Sequence, residues 1–213
     1  MDTDELIMTL IDAPRPPGRA AVSRRLGLAS LAGIAVALLL LPAIRGDTVR
    51  LAHALGTPLF WVKLMLPASM TLAALRVAAR LARPGLAVGR AWLWLGLPLA
   101  AVSVAAAAVL AAAPPELRPA LVLGHTWRTC SLYIVGLSGV PLVVLLHALR
   151  GLAATRPTVA GTVAGLLAGA IGTLAYSFRC PETAVPFWAV WYSLGMAVPA
   201  LIGALVGRRA LRW

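Results

Sequence analysis

The chain has 213 residues, of which 61% are hydrophobic and only 12% are charged, and its formal net charge is +12. A soluble domain of this size carries about 25% charged residues, so the composition excludes an ordinary soluble domain. The arginines fall in short clusters between apolar segments, which is typical of membrane-protein loops rather than of a nucleic-acid-binding surface. We therefore expect a multi-pass membrane protein that makes no direct contact with nucleic acid.

The N-terminal segment predicts a short amphipathic helix. Acidic residues occupy its first turn, where they favour the positive end of a helix, and an apolar stripe follows at helical spacing. A helix of about ten residues is marginal in water, so the stripe needs a cover: a groove on a cytoplasmic protein or the lipid surface. Its negative charge disfavours anionic lipid and so favours the protein partner. The residues concerned are Asp4, Glu5, Leu6, Ile7, Leu10 and Ile11.

Six apolar segments follow in chain order. Each has 19 to 23 residues, against the roughly 20 that a helix needs to cross the hydrocarbon of a bilayer. The sequence therefore predicts an all-α fold, a bundle of six transmembrane helices over residues 25–207. Residues 1–24 form an N-terminal tail and residues 208–213 a short C-terminal tail. The predicted spans are 26–44, 58–79, 91–113, 131–149, 158–178 and 185–206.

The arginines predict the orientation. With both termini in the cytoplasm, thirteen arginines lie inside and five outside, as the positive-inside rule requires for a bacterial inner membrane. The inner group is Arg15, Arg19, Arg24, Arg25, Arg76, Arg80, Arg83, Arg90, Arg150, Arg156, Arg208, Arg209 and Arg212. The outer group is Arg45, Arg50, Arg118, Arg128 and Arg179.

Two features of the predicted spans concern helix packing and charge. Glycines recur four apart in the last two spans, at 161, 165 and 169 and at 203 and 207, which predicts close packing between helices of the same chain. Lys63 lies about five residues inside its span, and we expect its side chain to reach the outer interface, with a functional role as the alternative. All seven acidic residues fall outside the spans, which weighs against an ion-coupled transporter.

The two cysteines are predicted to lie at the same face of the bundle. Cys130 opens the fourth span and Cys180 follows the fifth, each within two residues of an arginine that favours the reactive thiolate. Three interpretations remain open: unpaired residues or a permanent disulfide, a redox-active pair, or a soft-metal site. Such a site would hold copper(I), cadmium or zinc transiently, with His125 or Glu182 as further ligands, and no obligatory cofactor is expected.

The chain resembles membrane anti-sigma factors of the negative-regulator-of-sigma-F type. The resemblance extends over the whole chain and rests on residues 4–7, the six spans, the two outer cysteines, the segment 180–182, and the aromatic pair 191–192. It implies that the tail holds an extracytoplasmic-function sigma factor inactive at the membrane. It also implies that Cys130 and Cys180 relay a heavy-metal or redox stress that releases this factor.

Two rival functions are a membrane thiol–disulfide oxidoreductase and a small metal transporter. The first would need a closely spaced Cys-x-x-Cys pair or a second pair of cysteines to pass electrons on, and the sequence has neither. No nucleotide-binding, esterase or metalloprotease motif occurs in the sequence. We therefore expect a regulator and not an enzyme.

Overall fold

A computed structural model describes residues 18–43, 55–83, 88–150, 152 and 156–211. This part of the chain is helical and contains no strand. Six of its helices are long and apolar enough to cross a membrane, in agreement with the predicted count. The helices are α1 (Arg19–Leu40), α2 (Pro58–Leu81), α3 (Ala91–Ala112), the short α4 (Arg118–Leu123), α5 (Trp127–Arg150), α6 (Pro157–Ser177) and α7 (Val185–Ala210).

Helix ends follow the sequence closely. Helices α2, α6 and α7 each have a proline in their first two positions, where its missing N–H costs nothing and its fixed φ suits the helix. Four further prolines lie inside α2, α3, α5 and α7. The five residues Trp188–Tyr192 form a π-helical turn inside α7, which the sequence analysis did not predict.

Helix α6 is the centre of the bundle and packs against α7, α5 and α2. The predicted glycine spacing sets the closest of these approaches. A Cβ atom on Gly161 would collide with the backbone of Gly203, and one on Gly165 would collide with the carbonyl of Pro199. A Cβ atom on Gly169 would lie 2.8 Å from the Cα of Met196. The glycines therefore serve packing within the chain, as the sequence indicated.

The long helices alternate in direction, so the bundle has two distinct ends. Arg76 of α2 lies over the ring of Trp94 of α3, 5.7 Å from its centroid, and Lys63 at the other end of α2 contacts the loop after α6. We call these the arginine end and the cysteine end. The first described residue, Gly18 before α1, and the last one, Leu211 after α7, both lie at the arginine end.

Candidate functional site

The structure brings the two cysteines together at the cysteine end. Cys130 lies in the first turn of α5, and Cys180 lies in the loop between α6 and α7. Their side chains are 0% and 2% exposed, and the two thiols are in hydrogen-bonding contact as free cysteines. The expected juxtaposition is therefore present, while the role of the pair remains a prediction.

Lys63 corrects one of our predictions. Its side chain does not reach the outer interface but is only 4% exposed, and its ammonium donates a 2.5 Å hydrogen bond to the carbonyl oxygen of Cys180. It also contacts the Cys180 thiol. The carbonyl just past the end of α6 lacks a helical partner, and a buried ammonium requires polar contacts, so each group satisfies the other.

Glu182 binds the start of α5 rather than a free ligand position. Its Oε1 atom accepts hydrogen bonds from the backbone N–H of His125 (2.7 Å), and from the N–H (3.0 Å) and hydroxyl (3.2 Å) of Thr126. These donors precede the first residue of α5, where a carboxylate also favours the positive helix end. His125 thus contributes its backbone to this contact.

The π-helical turn of α7 closes the site from the other side. The indole N–H of Trp188 donates to the carbonyl of Glu182 (3.1 Å), and the hydroxyl of Ser131 donates to the carbonyl of Trp191 (3.0 Å). The turn ends at Tyr192, whose fully buried hydroxyl lies beside the Cys180 thiol without a well-aligned hydrogen bond. Extra residues in a helical turn frequently mark functional sites, because they redirect side chains and free carbonyls.

A cavity of about 190 Å³ leads to this cluster. It lies between the start of α2, which contributes Thr57, Phe60 and Lys63, and the loop residues Cys180 and Pro181. Its wall is mostly apolar, and the Lys63 ammonium and the Cys180 thiol are its reactive groups. The cavity thus borders Cys180, whose residue is only 2% exposed.

The surroundings make Cys180 the more acidic of the two thiols. The hydrogen bond with Cys130 lowers the pKa of Cys180 to about 6, and the charge of Lys63 acts in the same direction, against the opposing effect of burial. A lowered pKa favours the thiolate, the form that attacks oxidants and disulfides. The sequence analysis assigned this effect to the neighbouring arginine and missed Lys63. The signal was available, because Lys63 is the only lysine of the chain and interrupts an apolar span.

The two thiols and the carboxylate of Glu182 do not combine into a larger ligand cluster. Within the described ranges, no group of three or more His, Cys, Asp or Glu side chains is arranged to hold a metal ion. The Oε1 atom of Glu182 is already engaged by three donors. The arrangement suits chemistry between two sulfurs better than the four-ligand site that zinc requires.

The arginine end offers a different surface. A concavity of about 830 Å³ is lined by Arg150, Arg208 and Arg209 together with Leu205 and Val206 of α7. The guanidinium of Arg150 donates to the carbonyl of Ala210 (3.0 Å), which joins the ends of α5 and α7. The described carboxylates, on residues 116 and 182, both lie at the opposite end of the bundle. This surface is therefore suited to an acidic and partly apolar segment.

The six tail residues that the sequence analysis singled out, Asp4, Glu5, Leu6, Ile7, Leu10 and Ile11, lie outside the described residues. Their predicted helix and their predicted contact with a partner remain predictions.

A family model described as negative regulator of sigma F matches residues 10–213. The chain belongs to this family. It is 38% identical over 213 residues to the probable anti-sigma-F factor NrsF of Azospira oryzae, with all of both chains covered. It is 39% identical over 222 residues to the anti-sigma-F factor NrsF of Caulobacter vibrioides, again with both chains covered completely.

These comparisons confirm the resemblance that the sequence analysis stated. The two relatives carry the names of regulators of a sigma factor, not of enzymes. No solved structure matches the chain.

Proposed function

We propose that the chain is an inner-membrane anti-sigma factor that sequesters an extracytoplasmic-function sigma factor and releases it when a stress alters the pair Cys130 and Cys180. The observation that carries the proposal is the match over nearly the whole chain to the negative regulator of sigma F family. The six long apolar helices and the cysteine cluster support it further.

In this proposal the six long helices cross the bacterial inner membrane, with the arginine end in the cytoplasm and the cysteine end outside. Supporting this orientation, the basic residues of α1, α2, α5 and α7 gather at the arginine end. Both tails then lie in the cytoplasm, where a sigma factor is available.

The tail of residues 1–12 supplies the main contact with the sigma factor, and the arginine end supplies a second one. The apolar stripe of the tail suits the helix-in-groove mode of recognition. The concavity lined by Arg150, Arg208 and Arg209 adds positive charge and aliphatic surface beside it. Two contacts of this kind together bind more tightly than either contact alone.

The cysteine pair acts as the sensor, and a heavy metal or an oxidant acts on its thiols. Helix α5 starts at the sensor and ends at Arg150, so it links the two ends directly. A change that costs about 1.4 kcal/mol of binding energy weakens sigma binding tenfold, so a small movement of α5 is enough.

A pull-down of the detergent-solubilised full chain from its native cell tests sequestration. We expect the full chain to retain a sigma factor and a chain that lacks residues 1–12 to lose it. A second variant replaces Asp4 and Glu5 by their amides and keeps the apolar stripe, and we expect it to retain less sigma factor than the full chain but more than the truncated one. Failure of the full chain to retain any sigma factor in unstressed cells would contradict the proposal.

A further inference from the structure

Lys63 has no role in the function proposed so far, yet it is the most unusual group in the described bundle. A lysine ammonium is costly to bury in an apolar environment and persists there only with charged or strongly polar partners. Lys63 is 4% exposed, and its partners are the carbonyl and the thiol of Cys180. Among the described residues, the ionisable side chain in hydrogen-bonding contact with Lys63 is thus a thiol that can become a thiolate.

We propose that Lys63 is a positioning residue of the cysteine pair, whose ammonium holds Cys180 as the thiolate that attacks a hydroperoxide, after which Cys130 closes a disulfide. This inference deepens the proposed function and rests on it for the consequence in the cell. It names the attacking thiol, the resolving thiol and the class of oxidant, and it assigns a part to a residue outside the pair.

The surroundings of the pair favour an oxidant over a metal cation. The Lys63 ammonium repels a divalent cation, and Glu182 is occupied by three donors at the start of α5. A neutral hydroperoxide has no such penalty and is small enough for the cavity of about 190 Å³ that ends at Lys63 and Cys180. The charge that hinders a cation stabilises the thiolate that the oxidant needs.

The chemistry balances within the cluster. The Cys180 thiolate attacks one peroxide oxygen, an S–O bond forms while the O–O bond breaks, and the leaving hydroxide takes a proton from the Lys63 ammonium. The sulfur loses two electrons and the peroxide gains them. The Cys130 thiol then attacks the sulfenic acid of Cys180, which forms the disulfide and releases a second water.

The reaction changes more than the two sulfurs. It replaces a thiolate and an ammonium by a disulfide and a neutral amine, so the charge pair that attaches α2 to the loop after α6 disappears. The new bond joins that loop to the first turn of α5. Oxidation therefore replaces the charge attraction between this loop and α2 by a covalent bond between the loop and α5. Such a discrete change of packing is typical of molecular switches.

Several ionisable groups face Cys180 and must be considered in the test. They are Cys130 on α5, Lys63 on α2, Tyr176 on α6, Tyr192 on α7, and Glu182 on its own loop. Of these five groups, Lys63 is the cationic one, and Arg179 precedes Cys180 in the chain. A change in the charge of Lys63 is therefore expected to move the pH dependence of Cys180 reactivity, whereas a purely structural change is expected to alter the rate at all pH values alike.

The experiment measures alkylation of each cysteine by iodoacetamide as a function of pH, with peptide mass spectrometry on the full-length protein in detergent. Lys63→Met removes the charge, and Lys63→Gln keeps a donor for the Cys180 carbonyl without the charge. We expect both variants to shift the labelling midpoint of Cys180 upward by about one pH unit or more, and to slow its labelling about tenfold at neutral pH. Lys63→Arg is expected to restore the wild-type midpoint.

Disulfide formation by hydrogen peroxide is followed in the same proteins as the loss of both free thiols. We expect it to slow about tenfold in Lys63→Met and Lys63→Gln. Arg118→Met is the matched control, because it removes an exposed cation from the same end of the bundle and leaves the cluster intact. An unchanged pH profile of Cys180 in both uncharged variants, or no disulfide in the wild-type protein, overturns the inference.

A sigma-dependent reporter separates this inference from the function on which it rests. A normal stress response in Cys180→Ser would overturn the sensing function, while the role of Lys63 would still be decided by labelling alone. A lost response in Cys180→Ser together with unchanged labelling in Lys63→Met would overturn the role of Lys63 and leave the sensing function in place.

Discussion

The two ends of the bundle treat charge in opposite ways. At the cysteine end, Lys63, Glu182 and Cys180 are buried, and each contacts a specific partner. At the arginine end, Arg150, Arg208 and their neighbours are exposed around an open concavity. Buried polar clusters fix one arrangement because each unsatisfied group is costly, whereas exposed charges attract a partner without fixing a conformation. This difference fits the proposed function, in which the cysteine end is the sensor and the arginine end contacts the sigma factor.

The close contact between α6 and α7, which holds the bundle together between its two ends, can be disrupted by a single substitution. We expect Gly165→Ala to destabilise the protein by about 3 kcal/mol, because the added Cβ collides with the backbone of Pro199. The control is Gly96→Ala in α3, where an added Cβ meets nothing within 4 Å and should be neutral or stabilise the helix by up to about 1 kcal/mol. Unfolding of both proteins in detergent measures the difference. Equal stability of the two variants would contradict the close packing of α6 against α7.

The carboxylate of Glu182 caps the start of α5 and thereby stabilises the cysteine end. Glu182→Ala leaves the N–H groups of His125 and Thr126 without their acceptor, and we expect a loss of about 2 kcal/mol in the same unfolding assay. Glu116→Ala is the control, because Glu116 is exposed on the preceding turn. If the two variants were equally stable, the cap would not support this end of the bundle.

The arginine end should give the smallest effects, because exposed charges act weakly and in parallel. Arg208→Gln and Arg209→Gln are each expected to weaken sigma-factor binding about two- to fivefold at low salt, and less at high salt. Arg128→Gln removes an exposed charge from the cysteine end and should leave the affinity unchanged. Affinity measured at two salt concentrations tests this, and a loss that does not depend on salt would contradict an electrostatic contact.

Sequence reasoning predicted the parts of the fold that depend on local pattern. The length of each apolar segment predicted six long helices, and the glycines four apart predicted the close approach of α6 and α7. The order of the helices also placed Cys130 and Cys180 at one end. All of these follow from hydrophobic length and backbone contact, which the sequence displays directly.

The finer chemistry of the site depends on contacts between distant segments. Lys63 marks an unusual position in its span, but its partner Cys180 is 117 residues away and could not be identified from the local sequence. The cap by Glu182 and the π-helical turn that ends at Tyr192 are tertiary features of the same kind. The expectation that the Lys63 side chain reaches the outer interface was wrong, because the carbonyl oxygen of Cys180 just past the end of α6 accepts its hydrogen bond in the interior.

The most direct test of the account asks whether the cysteine end controls the arginine end. The full-length protein is immobilised with its sigma factor bound, treated with hydrogen peroxide, and the sigma factor that remains is measured for the wild type and for Cys180→Ser. We predict that the wild type retains at least about tenfold less after treatment, whereas Cys180→Ser retains it fully. Equal release from both proteins, or release from neither, would contradict the account.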